Sequence, residues 1–131
     1  MTLTTQPTLS SPVPADLPDT GLVHRPWGRF EQLTHNETTT VKIITVEPAA
    51  RLSLQRHEHR AERWQVLAGP LAVEVDGRAW EAQVGEVVWV PCGATHRMGN
   101  TGVEPAQVLE IGYGHFDEDD IERLQDDYAR S

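Results

Sequence analysis

From Trp27 onward, the chain is a series of short β-rich segments separated by turn residues. Residues 38–46 (T-T-T-V-K-I-I-T-V) are dense in β-branched side chains, which favour a pleated strand. Residues 71–75 and 78–82 flank Asp76-Gly77, a pair that supplies the positive φ angles of a two-residue hairpin turn. Many short strands at this spacing predict an all-β sandwich or barrel.

The two ends of the chain differ from this pattern. Residues 1–22 are rich in Thr, Ser and Pro, a composition that does not form a packed core. We therefore expect a flexible N-terminal arm over 1–22 and one domain over 23–131. Within 117–128, Ile121 and Leu124 recur at helical spacing behind Asp117, a suitable N-cap, and this predicts a short C-terminal helix.

Composition excludes several classes of partner. The formal net charge is −9 and no basic cluster offsets it, so nucleic acid is not expected to bind, although a few converging arginines still suit a small anion. Cys92 is the single cysteine, which rules out a disulfide framework. No apolar run is long enough to span a membrane, and the first twenty residues lack the pattern of a secretory signal. We expect a cytoplasmic protein without a membrane partner.

The stretch 54–64 concentrates side chains that bind metals. In an extended strand, Gln55, His57 and His59 point to the same face, and Glu62 follows after a three-residue step. Imidazole nitrogens together with a carboxylate suit a divalent transition metal.

A second segment offers a further ligand. Pro91 and Gly93 predict a tight turn, and His96 leaves this turn on the next strand. Inward-facing residues of different strands meet in one layer of a small barrel. If the two segments are neighbours, His96 joins the first cluster.

These two segments resemble the paired motifs of the cupin superfamily. His57-x-His59 with Glu62 and Gly69 is similar to its first motif, and residues 85–100 are similar to its second. The resemblance implies a double-stranded β-helix (a jelly-roll barrel) that holds one divalent metal ion. Its ligands would be His57, His59, Glu62 and His96, with zinc as the first choice and manganese, iron or nickel as alternatives.

A narrower resemblance rests on four motifs in order. Arg25-Pro26-Trp27-Gly28, residues 53–64, residues 118–121 and residues 127–130 resemble the C-terminal cupin domain of type II phosphomannose isomerases, which is usually joined to a mannose-1-phosphate guanylyltransferase. The chain contains no glycine-rich nucleotide loop, so guanylyl transfer is not expected of it. The resemblance implies a metal-dependent isomerase that interconverts mannose 6-phosphate and fructose 6-phosphate by proton transfer through an enediol.

The resemblance also assigns roles to particular residues. Lys42 and Glu110 are the candidates for moving the proton. The candidates for binding the sugar phosphate are Arg25, Trp27, Arg51, Gln55 and Arg60. The chain departs from the family pattern at Ala49, Arg63, Gly112 and Ala129.

Three alternatives remain at this stage. The departures favour a non-catalytic cupin that binds a sugar phosphate or a nucleotide sugar. A site of three histidines and one glutamate also suits a dioxygenase, and the same side chains can simply hydrogen-bond to one another without a metal. A homodimer is expected because exposed edge strands are often protected by pairing.

Overall fold

The computed structural model describes residues 21–117 and 119–128, and this part of the chain is built from strands and the turns between them. No helix in these ranges is long and apolar enough to cross a membrane. The predicted N-terminal arm, 1–22, lies outside the described residues except for Gly21 and Leu22, which begin the first strand. In chain order the strands are β1 (Gly21–Arg25), β2 (Gly28–Gln32), β3 (Thr39–Val46), β4 (Leu54–Arg56), β5 (Arg60–Ala68), β6 (Leu71–Val75), β7 (Arg78–Ala82), β8 (Val87–Val90), β9 (His96–Gly99), β10 (Ala106–Gly114) and β11 (Glu122–Gln125).

Two antiparallel sheets form the body of the fold. One has the strand order β3-β10-β5-β8 and the other β11-β4-β9-β6-β7, while β1 and β2 make a separate hairpin. The hairpin predicted around Asp76 and Gly77 forms as β6 and β7, and the two turn residues have φ angles of 49° and 81°. The prediction of an all-β sandwich or barrel is confirmed.

The inner faces of the two sheets enclose an apolar core. Along β6 the burial alternates, with every second residue fully covered, as expected for a strand that has one face inward. Each such side chain contributes about 1.5–3 kcal/mol relative to exposure. The core includes Val46, Trp64, Val66, Leu71, Val73, Val75, Val88, Val90, Met98 and Val108.

The inner surface changes from apolar to polar at one level of the sandwich. On β10, Val108 pairs with Ile44 of β3, and two residues further on Glu110 pairs with Lys42. Val108 packs in the core, whereas Glu110 and Lys42 line a cavity. The strand registers therefore place a polar pocket at one end of the apolar core.

The predicted helix over 117–128 is wrong. Residues 122–125 form β11, which pairs with β4 so that Arg123 lies opposite Gln55. Arg56 and Glu122 form an ion pair across the two strands. Strand pairing provides hydrogen-bond partners for the backbone of this segment. Ile121 and Arg123 line the cavity at the two-residue spacing of a strand. Glu118, within the predicted helix, lies outside the described residues.

Candidate metal centre

Three buried side chains from different elements converge at the polar end of the core. His57 follows β4, Glu62 lies on β5 and His96 begins β9, and their candidate ligand atoms all lie within 4.8 Å of one another. Glu62 Oε2 is 3.4 Å from His57 Nε2, and Glu62 Oε1 is 3.8 Å from His96 Nε2. Each of the three residues is at most 4% exposed.

Hydrogen bonds to the backbone orient both imidazoles toward the cluster. His57 Nδ1 lies 2.7 Å from the Asp120 carbonyl oxygen, and His96 Nδ1 lies 3.1 Å from the Ala94 carbonyl oxygen. A carbonyl oxygen only accepts, so each Nδ1 carries the proton and donates it. Both Nε2 atoms face Glu62, which is the arrangement that metal-binding histidines use.

The donor atoms fit a small divalent ion. Bonds of about 2.0–2.1 Å to a tetrahedral ion separate neighbouring ligand atoms by roughly 3.3 Å. The separations of 3.4 and 3.8 Å are close to that value. Two imidazoles and a carboxylate are also the ligand chemistry that zinc and its neighbours accept. His57, Glu62 and His96 can therefore hold one metal ion.

Asp120 holds the bend that carries His57. Its carboxylate accepts the backbone N–H groups of Glu58 and His59 at 3.0 and 2.9 Å, while its carbonyl oxygen accepts the His57 Nδ1–H. The Glu58 N–H is the largest cause that lowers the pKa of Asp120 below its usual value. Burial lowers the pKa of His57, which favours the neutral imidazole that binds a metal.

The structure does not bring His59 to the cluster. The prediction assumed an extended strand through 55–59, but β4 ends at Arg56 and the chain bends at Glu58 and His59 before β5 begins. Side-chain alternation stops at the bend, so His57 faces inward and His59 is exposed.

Most of the other predicted site residues do share one pocket. A cavity of about 170 Å³ lies beside the three donors. Gln55 pairs with His96 across β4 and β9 and reaches the cavity. The predicted site residues that line it are Lys42, Gln55, His57, Arg60, Glu62, His96 and Glu110.

Three predicted substrate-binding residues lie elsewhere. Trp27 is 73% exposed in the turn between β1 and β2 and stacks on Phe30. Arg25 is exposed on β1 and donates to the neighbouring His24 carbonyl. Arg51 makes a two-pronged ion pair with Asp127, at 2.7 and 3.0 Å, in an open groove of about 530 Å³ outside the cavity.

The end of the chain adds an aromatic and a cationic pocket residue that the sequence did not predict. Phe116 and Arg123 line the cavity, and both come from the end of the chain. The predicted helix over 117–128 hid Arg123, because its contribution depends on β11 lying beside β4. Leu124, between Arg123 and Gln125, breaks the polar and apolar alternation of a strand, so the sequence pattern did not indicate this pairing.

The departures from the family pattern fall at different places. Arg63 lies on the outer side of β5, where its guanidinium is 4.0 Å from Glu31. A Cβ at Gly112 would lie 3.6 Å from Arg60 Cδ, so this glycine borders the pocket. Ala49, with φ of 67°, belongs to the turn after β3. Ala129 lies outside the described residues.

The surroundings of Glu110 strongly raise the pKa of its carboxyl group. Burial, followed by the charge of Glu62, raises its pKa to about 7, against the opposing effects of Lys42 and Arg60. Below the ordinary value of 4.5 both folded and unfolded chains are protonated. Between 4.5 and about 7 the unfolded chain loses this proton while the folded chain keeps it, so the free energy of unfolding falls as pH rises.

We predict that Glu110→Gln removes this pH dependence. The raised pKa of Glu110 lowers the free energy of unfolding of the wild type by about 3 kcal/mol between pH 4.5 and 7. The variant has no carboxyl group at this position and should not show this decrease. Urea unfolding across this range, with a chelator present, measures the difference. Glu81→Gln, which changes an exposed carboxylate on β7, is the matched control. Parallel pH profiles for wild type and Glu110→Gln would contradict the prediction.

Comparison with known proteins gives the family of the chain and its fold. Residues 18–126 match the family model described as "Mannose-6-phosphate isomerase C-terminal". The alginate biosynthesis protein AlgA of Pseudomonas aeruginosa is 41% identical over 110 residues, which are 83% of this chain and 23% of that protein. The mannose-1-phosphate guanylyltransferase ManC of Salmonella typhimurium is 40% identical over 109 residues, 82% of this chain and 23% of that protein. A Cupin 2 conserved barrel domain protein from Salinispora arenicola aligns with a TM-score of 0.54 at 24% identity, over 61% of this chain and 66% of that one.

These findings confirm the cupin fold and the family resemblance, and they correct the predicted reaction. The chain spans about a quarter of the length of these curated relatives. Their names refer to guanylyl transfer or to alginate biosynthesis rather than to isomerisation. The prediction of a mannose-6-phosphate isomerase is therefore wrong, and the catalytic roles given to Lys42 and Glu110 in that reaction are not retained.

Proposed function

The chain belongs to the mannose-6-phosphate isomerase C-terminal family, and we propose that it is a metal-dependent binding domain for a hexose phosphate. The observation that carries this proposal is a single cavity that combines three metal donors with a cationic lining. The name of one relative, a mannose-1-phosphate guanylyltransferase, supports the choice of a mannose phosphate as the ligand.

The charges that line the cavity favour an anion. Two carboxylates, Glu62 and Glu110, face four cationic side chains: Lys42, Arg60, Arg97 and Arg123. This local excess of positive charge occurs in a chain whose formal net charge is −9. Converging guanidinium and ammonium groups are the donors that hold a phosphate.

The volume of the cavity favours a small ligand. About 170 Å³ is below the range of roughly 300–1,000 Å³ that drug-sized ligands occupy. A hexose phosphate therefore suits it better than a nucleotide sugar. His57, Glu62 and His96 would hold a metal ion, which would supply a Lewis acid for a ligand oxygen, while Gln55, beside His96, would offer a hydrogen-bond partner to a hydroxyl.

Two finer assignments belong to the same proposal. We propose zinc as the bound metal, because two imidazoles and a carboxylate form a common zinc ligand set. We also propose a homodimer, because Val41 and Ile43 are exposed on the edge strand β3. Elemental analysis and light scattering of the purified protein check these two assignments.

The proposal is tested by calorimetric titration with mannose 1-phosphate and with mannose. We expect mannose 1-phosphate to bind at least about 10-fold more tightly, because its phosphate gains charge-assisted hydrogen bonds. Chelation of the metal and Arg123→Gln should each weaken binding, whereas Arg78→Gln, an exposed change on β7, should not. Equal affinity for the two sugars, or binding indifferent to the chelator, would refute the proposal.

A further inference from the structure

Arg60 occupies an unusual place for a cation. Its side chain is 7% exposed, and it lies inside the donor cluster rather than at the rim of the pocket. Arg60 Nη2 is 3.2 Å from His57 Nε2, and Arg60 Nε is 3.4 Å from Glu62 Oε2. The guanidinium thus contacts donor atoms of two of the three candidate metal ligands.

These contacts compete with metal binding. A guanidinium stays charged in proteins and only donates, so His57 Nε2 must offer it a lone pair. That lone pair is the one a metal ion would take. A divalent ion bound to His57 and Glu62 would also bring two like-signed charges close together in a poorly solvated pocket. The present contacts of Arg60 with His57 and Glu62 and the binding of a metal ion to these two residues therefore exclude each other.

The surroundings of Arg60 allow its guanidinium to move. Its Cζ atom lies 4.1 Å from the centroid of the Phe116 ring, a broad contact that tolerates sliding. Its bond to the Asp117 carbonyl is long, at 3.4 Å. Gly112 places no side chain beside Arg60, where an added Cβ would be in van der Waals contact with Arg60 Cδ at 3.6 Å.

We propose that Arg60 is a built-in competitor of the metal and that metal binding shifts its guanidinium toward the cavity, where it pairs with the phosphate of the ligand. Metal and phosphate then bind cooperatively, because each favours the same position of Arg60. Lys42, whose Nζ lies 4.2 Å from the same Phe116 ring, completes the anion site. This inference rests on the metal and the phosphate ligand of the proposed function.

Metal affinity of the wild type and of Arg60→Gln tests the competition. Cobalt(II), titrated against a chelating dye and followed by its visible absorption, serves as the probe. We expect Arg60→Gln to bind cobalt about 10-fold more tightly or better, because a charge-assisted hydrogen bond to the ligands is gone. Lys42→Met removes a cavity cation that does not touch His57 or Glu62, and it should raise the affinity far less. Arg60→Lys, which keeps the charge without the forked donors, should fall between wild type and Arg60→Gln.

Inorganic phosphate provides the second measurement. In the wild type, saturating cobalt should tighten phosphate binding, and in Arg60→Gln the cobalt-dependent gain in phosphate affinity should be smaller. A folded Arg60→Gln protein with unchanged or weaker cobalt affinity would overturn the competition while leaving the metal site intact. Failure of both wild type and Arg60→Gln to bind cobalt would instead refute the proposed function and this inference together.

Discussion

Replacement of His57 by alanine is expected to weaken metal binding at least about 100-fold. Changes to residues that merely orient a metal ligand cost 10–100-fold, and loss of a ligand should cost no less. His57 supplies one of three converging donor atoms, and its Nε2 lies 3.4 Å from Glu62. A competition titration of the purified protein with a chelating dye measures the change.

His59→Ala is the matched control for this prediction. The substitution is chemically the same and lies two residues away, but the His59 side chain is exposed and outside the cavity. The backbone N–H of His59 keeps its bond to Asp120 whatever the side chain is. We therefore expect wild-type metal affinity. A loss in His59→Ala as large as that in His57→Ala would contradict the described position of the bend and restore the four-ligand prediction.

The sequence predicted which residues face the cavity where strand alternation continues without a break. Glu110 and Lys42 lie in regular strands, and counting by twos along β10 and β3 places both inward. His96 was also foreseen, because the turn at Pro91 and Gly93 fixes where β9 starts. Such positions depend on the local geometry of a strand or turn, which can be inferred from the sequence pattern.

The errors arose where long-range contacts decide the conformation. The bend that turns His59 outward is held by Asp120, more than sixty residues away in the chain. The segment around Arg123 has helical spacing of apolar residues, yet pairing with β4 makes it a strand. Tertiary contacts override weak local preferences in both cases, and no single-sequence pattern reports them.

Trp64→Ala is expected to lower the free energy of unfolding by about 3–5 kcal/mol, the usual cost of removing a buried aromatic side chain from a core. Trp64 is 1% exposed on the inner face of β5, between the apolar core and the metal ligands. Its indole N–H donates to Glu62 Oε1 at 2.9 Å, and its ring meets the His96 ring edge-on at 5.8 Å. The same substitution should therefore also weaken metal binding.

Trp27→Ala separates burial from residue type, because it removes the same side chain from a position that is 73% exposed. We expect its free energy of unfolding to stay within about 0.5 kcal/mol of the wild type. Trp64→Phe keeps most of the core contacts but loses the hydrogen-bond donor to Glu62. We therefore expect a clear loss of metal affinity with only a small decrease in the free energy of unfolding. Urea unfolding with a chelator measures stability apart from metal binding. Equal losses in the free energy of unfolding for Trp64→Ala and Trp27→Ala would contradict the position of Trp64 between the core and the metal centre.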